Sequence, residues 1–317
     1  RDTSTDDTST DDTGTDEADT NETGRIDIGR VGLWSALPDA HPTSRVREVA
    51  AELEAMGWPC LWRPETAGRD AFVSCAHVLD ATTTMKVATG IAQIHARHPV
   101  TTRNGQRTLY EASGGRFLLG LGVSHGPFVQ GVRKLEYSTP YSDMVDYLAA
   151  MADAPFTAVA AADEPPTVLA ALGPKMLRLA ASAAQGAHPY FSPVEHTAFA
   201  RETMGDGPLL APEQMVVLDT DRSAATEIAR KHMHRYLQLP NYTNNLRRFG
   251  FGDDDIDGPS ERLIDAIVVR GTVDDVVDRV RAHHEAGADH VCIQVLTADT
   301  ELPLRAWRDL AAAFALA

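Results

Sequence analysis

From Gly24 onward, short apolar runs alternate with longer stretches in which apolar residues recur at helical spacing. The runs are GRVGLWSAL (29–37), CLWRPE (60–65), MKVATGIAQI (85–94), the FLLGLG core of 114–127, PTVLAALG (166–173), GAHPYF (186–191), EQMVVLD (213–219) and HVCIQVL (290–296). Near-continuous apolar runs of this length read as parallel strands buried on both faces. Between them, SRVREVAAELEAMG (44–57) places Val46, Val49, Ala50, Leu53 and Met56 on one helical face and stops at Gly57. Helical spacing recurs over 70–82, 101–115, 142–153, 174–184, 194–204, 222–239, 272–287 and 304–317. Eight strand-then-helix units predict an α/β fold, a (β/α)8 barrel rather than an open doubly wound sheet, forming one domain over 25–317. Two connections, 125–141 and 240–260, exceed ordinary loop length and are expected to be lids or binding loops.

Composition modifies this picture mainly at the N-terminus. Residues 1–24 hold nine acids, one base and a single apolar side chain, Ala18. Such a segment cannot bury enough surface to offset the entropy of ordering it, so it is expected to be a disordered acidic tail. It carries −8 of the formal charge of −16 and leaves an ordinary acidic balance for the rest. That balance argues against nucleic acid or an anionic membrane as partner. The acidic start does not resemble a signal peptide, and no run is long and apolar enough to span a bilayer. Cys60, Cys75 and Cys292 are widely spaced and form no CxxC, which reads as reduced thiols of a cytoplasmic protein.

In a barrel of this kind the chemistry lies at the C-terminal ends of the strands. Those ends offer Trp34 and Ser35; Arg63, Glu65 and Thr66; Gly90, Ile91, Gln93, His95 and Arg97; Gly122, Val123, Ser124 and His125; His188 and Tyr190; and Gln294. Gly120 and Gly122 fall on one strand face, so a flat ligand could approach the backbone there, or the pair could serve a kink or a small-residue packing layer. LGPKM puts Gly173, Pro174 and Lys175 at a helix N-terminus. That is an anion site in one reading and ordinary helix initiation in the other. The twelve histidines show no metal-ligand spacing, no metal site is expected, and there is no GxSxG elbow.

KVATGIAQIHARHP, GGRFLLGLGVSHG and AALGPKMLRLAASAAQGAHPY, in that order, resemble the luciferase-like oxidoreductases, in particular the actinobacterial branch that uses the deazaflavin coenzyme F420. The resemblance runs from about residue 28 to the C-terminus. It implies a non-prolyl cis peptide at Gly90–Ile91 behind the deazaflavin ring. It also implies contact of Gly122, Val123 and Ser124 with that ring, and a phosphate site at Gly173, Pro174 and Lys175. His125 falls where related sugar-phosphate dehydrogenases carry a carboxylate, and Glu65–Thr66 where they carry an Asp–His pair, so that substrate does not carry over. His125 is the expected proton donor or acceptor as hydride moves, since imidazole titrates near neutrality. Glu65 is expected to orient the substrate or tune His125. The substrate is expected to be a small molecule, with a homodimer as the candidate assembly. Two alternatives stand beside this reading: an FMN-dependent monooxygenase fed by a partner reductase, and a catalytically silent barrel that binds cofactor.

Overall fold

The computed structural model describes residues 26–316, so the expected acidic tail lies outside the described residues. Strands β1 (Val31–Trp34), β2 (Cys60–Arg63), β3 (Lys86–Thr89), β4 (Ala92–Gln93), β5 (Phe117–Gly122), β6 (Thr167–Leu169), β7 (Gly186–Ala187), β8 (Leu209–Leu210), β9 (Glu213–Val217), β10 (Val268–Arg270) and β11 (Val291–Val295) are all parallel. The order β9-β11-β1-β2-β3-β5-β6-β7-β8 returns to its start, because β8 and β9 are consecutive pieces of one run. Pro212, which has no N–H to give a ladder, separates them. Pairing passes through the break: the Ala211 and Glu213 amides donate to the Ala187 and Pro189 carbonyls, both at 2.9 Å. The opposite edge of β9 takes β11, with Cys292 beside Glu213. The sheet therefore closes as the eight-position barrel that the alternation predicts.

The barrel wall separates two packing layers. Leu33, Leu119, Leu121 and Ile293 face outward onto helix residues such as Val49 and Leu53 of α1 (Thr43–Ala55) and Val78 of α2 (Ala71–Asp80). Trp34, Trp62, Ala88, Leu118, Val168 and Cys292 face inward. Local signals fix the helix starts. The Asp70 carboxylate caps α2 by accepting from the Phe72 and Val73 amides at 3.0 Å. Helix α3 (Pro99–Ala112) starts earlier than its apolar spacing suggests, because Pro99 takes the first helical position and His98 caps it.

The two long connections are largely helical. The first contains α4 (Gly126–Gly131) and leads into α5 (Pro140–Ala152). After β6 and β7 come α6 (Pro174–Ala183) and α7 (Val194–Met204), and α8 (Arg222–Tyr236) follows β9. The second long connection then folds as α9 (Pro240–Arg248) and α10 (Asp253–Ile256), and continues through α11 (Glu261–Ile267) into β10, which adds to β9 outside the barrel. Its Tyr242, Leu246, Phe251, Leu263 and Ile264 pack with Phe191 and Met215 into a second core over one side of the barrel mouth. Apolar residues scattered among polar ones gave this segment no clear period, which is why it reads as a loop in sequence.

Candidate active site

The Gly90–Ile91 peptide at the end of β3 is cis, the bond the resemblance implied. The chain then steps sideways, so that β4 pairs with the tip of β5, Ala92 with Leu121 and Gln93 with Gly122. The two glycines of β5 make room for this step. A side chain on Gly120 would collide with the Thr89 carbonyl. One on Gly122 would lie 2.5 Å from Ile91 Cδ1 and 2.6 Å from Cγ1. The space over Gly122 is thus filled by Ile91 rather than left bare. Thr89 pins the arrangement through its hydroxyl, which donates to the Gly120 carbonyl at 2.7 Å and accepts from the Gly120 amide at 2.8 Å. Trp34 Nε1 donates to the Gly90 carbonyl at 2.9 Å.

The two expected catalytic residues are not brought together. The Glu65 carboxylate is buried and accepts from the Gln93 amide at 2.7 Å and from Arg97 at 2.9 and 2.6 Å, with Arg133 at 3.7 Å. Arg97 also pairs with Asp70. These partners occupy Glu65 as the anchor of the β4 step, and no interaction among the described residues joins it to His125. His125 stands at the N-cap of α4, next to Ser124, whose φ of 59° lies in the left-handed region. The His125 ring lies 5.3 Å from that of Tyr242, and Asn241 of α9 hydrogen-bonds its side chain. Burial lowers its pKa below the ordinary imidazole value, against the Asn241 bond, so it is neutral at pH 7. Val123 and Ser124 continue from the β5 tip and are half-buried.

On the other flank, Ala170 lies against Gly122 and its amide donates to the Leu121 carbonyl at 2.7 Å. Three residues on, Gly173 caps α6 with open space where a Cβ would stand, and Lys175 is exposed in the first turn. His196 of α7 donates from Nε2 to the Leu172 carbonyl at 2.9 Å. The Arg248 guanidinium of α9 lies close enough to depress the His196 imidazole further, after burial, to about 4. Arg248 donates to Asn245 Oδ1 at 3.3 Å. Asn245 Nδ2 and Ser192 Oγ are buried without a hydrogen-bond partner among the described residues. Arg248 and Asn245, tied through His196 to the start of α6, are groups suited to a phosphate. The sequence alone offered only Gly173, Pro174 and Lys175, because Ser192, Asn245 and Arg248 come from other elements and match no motif.

Between these flanks, inward-facing aromatic residues line the mouth. Tyr190 packs on Trp34 at 5.1 Å and on Tyr236 at 5.3 Å, and Tyr236 meets Tyr242 edge-on at 5.4 Å. The Tyr190 hydroxyl donates to Gln294 Oε1 at 2.9 Å and lies 2.8 Å from the Tyr236 hydroxyl. Below them Glu213 is buried, with Oε2 accepting from the Phe191 amide at 3.3 Å and Oε1 unpaired among the described residues. Burial raises its pKa to about 8. His188 is stacked 4.3 Å from Trp62 and donates from Nδ1 to the Ala211 carbonyl at 2.8 Å, which leaves Nε2 unpaired. No group of three or more potential metal ligands occurs among the described residues, and none of their helices is long and apolar enough to cross a membrane. Two surface depressions lie away from this end. One is at the N-terminal rim, near Lys86, Tyr110 and Gln185, and the other lies along α8.

A family model described as luciferase-like monooxygenase matches residues 28–290. A Mycobacterium tuberculosis protein with the provisional name of a coenzyme F420-dependent oxidoreductase is 26% identical, over 89% of this chain and 96% of that protein. Among solved structures, an F420-dependent secondary alcohol dehydrogenase in complex with an F420–acetone adduct superposes with a TM-score of 0.69 at 16% identity, over 89% of this chain and 96% of that one. The FMN-bound oxygenating constituent of 3,6-diketocamphane monooxygenase of Pseudomonas putida gives 0.66 at 15% identity, over 89% and 95%. These last two likenesses concern the fold.

Proposed function

The chain belongs to the luciferase-like monooxygenase family, and from that premise we propose that it is an F420-dependent oxidoreductase acting on a small organic substrate. The observation that carries this reading is the adjacency, across the β5–β6 pair, of an apolar shelf at the Gly90–Ile91 step and a donor-rich anion site at the α6 N-terminus. A deazaflavin with a phosphate tail needs both. Ile91 and Val123 would back its ring. Gly173, Lys175, Ser192, Asn245 and Arg248 would hold its phosphate, satisfying the two unpaired buried donors. FMN would use the same features, but the name of the mycobacterial relative favours F420.

When bound, the deazaflavin supplies a two-electron hydride donor or acceptor. The protein's part is to position the substrate and move the proton. His125 is neutral at pH 7 and stands at the mouth, so its free ring nitrogen accepts the hydroxyl proton of a substrate undergoing oxidation and returns it in the reverse direction. Asn241 and Tyr242 fix the ring that does this. Glu65 acts at one remove by fixing Gln93 and Arg97. The test is to follow the visible band of F420 during turnover of candidate alcohols and ketones by wild type and by H125A. Bleaching or recovery that depends on both substrate and His125 supports the reading. A band unchanged by any substrate, in protein that binds F420, points instead to a silent cofactor-binding barrel.

A further inference from the structure

His125 stands at the start of a connection with little core of its own. Between Gly126 and Thr139 only Val129 is buried. Ser124 and Lys134, both at φ 59°, bracket α4 in the left-handed region, which non-glycine residues hold only where their surroundings fix the chain. Arg133, just past the end of α4, reaches back to the β4 step. Its Nε donates to Gln93 Oε1 at 2.9 Å, and its guanidinium lies 3.7 Å from the buried Glu65 carboxylate. The side chain is 24% exposed and also lies over the Phe128 ring of α4, at 5.5 Å. Gln93 is itself held, because its Nε2 donates to the Glu65 carbonyl at 2.9 Å and its backbone pairs beside Gly122. Within the connection, the Tyr137 hydroxyl donates to the Ser124 carbonyl at 3.3 Å, immediately before His125.

We propose that Arg133 is a positioning residue for His125: it braces the α4 connection against the β4 step and so holds the imidazole against Tyr242 and Asn241. The word positioning rests on the proton-transfer role proposed for His125, whereas the brace itself does not. The physical argument is local stability. A segment with one buried side chain opens at low cost unless a specific tie holds it. Arg133 supplies that tie as a charged donor, to an acceptor on the sheet with a buried carboxylate behind it. Without it the segment opens and His125 meets water. Burial is the main influence on that imidazole and Asn241 opposes it. Tyr242 is the titratable ring packed against it, and no charged side chain among the described residues contributes to its shift. Opening therefore relieves the burial and returns the imidazole toward its ordinary value.

The test uses the full chain without cofactor. It compares wild type with R133M, which keeps the stem beside Phe128 but no donor, and with R133K, which restores a charged donor. Hydrogen exchange is read by mass spectrometry for peptides covering 126–139. The His125 Cε1–Hε1 signal, identified by its loss in H125A, is titrated in parallel. In R133M exchange of the segment should speed up about tenfold, as for loss of one charge-assisted hydrogen bond, with β1 and β11 unchanged. The His125 midpoint should rise in the same variant, and R133K should return both readouts most of the way to wild type. Exchange and midpoint unchanged in R133M, or R133K indistinguishable from R133M, overturns the brace. Loss of protection that extends to β1 and β11 also overturns it, because Arg133 would then serve the fold as a whole. The two readings fail separately. Undiminished F420 turnover in H125A fails the proton-transfer role and leaves the brace standing, whereas wild-type exchange in R133M fails the brace and leaves that role standing.

Discussion

At the scale of single residues, the structure changes what several side chains are for. Gly122 makes room for Ile91, so its substitution is a packing problem. G122V should cost about 1–3 kcal/mol by overpacking the Ile91 side chain. G120A should cost more, because the obstacle is the Thr89 backbone carbonyl, which cannot rotate away. Thermal melts of the two variants should rank in that order, and a milder G120A would mean the β3 step is not held as described. H125A should leave F420 affinity within a few-fold and lower turnover by about two to four orders of magnitude, the usual worth of a positioned acid or base. Because His125 acts in its neutral form and its pKa lies below the ordinary value, kcat/KM should fall only on the acid side of about pH 6.5, and H125A should lose that limb. An acid limb unaltered in H125A would assign it to another group. Glu213 behaves oppositely. Its folded pKa near 8 exceeds the unfolded value of 4.5, so the folded state binds the extra proton and loses stability as pH rises across that window. E213Q should therefore raise Tm at pH 8 and bring little change at pH 4.5.

At the scale of elements, strands and helices whose burial follows a simple period were legible, and composite features were not. The VGLW, CLWR and FLLGLG runs announce buried parallel strands because every position but Arg63 is apolar or small. GAHPYF reads as a strand over 186–191, yet only Gly186 and Ala187 pair, because Pro189 and the left-handed Phe191 (φ 56°) bend the chain into the mouth. The cis step was reachable only through the family resemblance, since nothing in the letters T-G-I encodes a cis bond. The anion site illustrates the limit most clearly. Its helix N-terminus is a local motif, whereas Ser192 comes from the connection between β7 and α7, Asn245 and Arg248 come from α9, and they become partners only after folding. Their shared role predicts that K175A and R248A each weaken F420 by about 1.5–3 kcal/mol, the worth of one charge-assisted hydrogen bond, with Tm unchanged because both side chains are exposed. Isothermal titration checks this, and an unaffected Kd in both variants would place the phosphate elsewhere.

At the scale of the whole molecule, the barrel carries an acid-sensitive interior. His188, His196, His232 and His290 are held near 4, and His283 near 3, chiefly by burial. Their folded pKa values lie below the unfolded 6.5, so the unfolded state binds more protons and stability is lost as pH falls from about 6.5 toward 4. Glu213 opposes this over part of the same range but is one group against five. Tm should drop by about 10 °C or more between pH 7 and pH 5, and a flat profile would mean that these histidines are solvated. The shelf and the anion site are fixed by different strands and helices and meet only because the barrel closes, so the cofactor they jointly fit is the property that tests the molecule as a unit. The most direct measurement is equilibrium titration of the purified chain with F420 and, separately, with FMN, read by the quenching of each ligand's fluorescence. F420 should saturate one site per chain and bind at least tenfold more tightly than FMN, with R248A weakening it; FMN binding as tightly or more tightly, or no saturable F420 binding, would contradict the assignment.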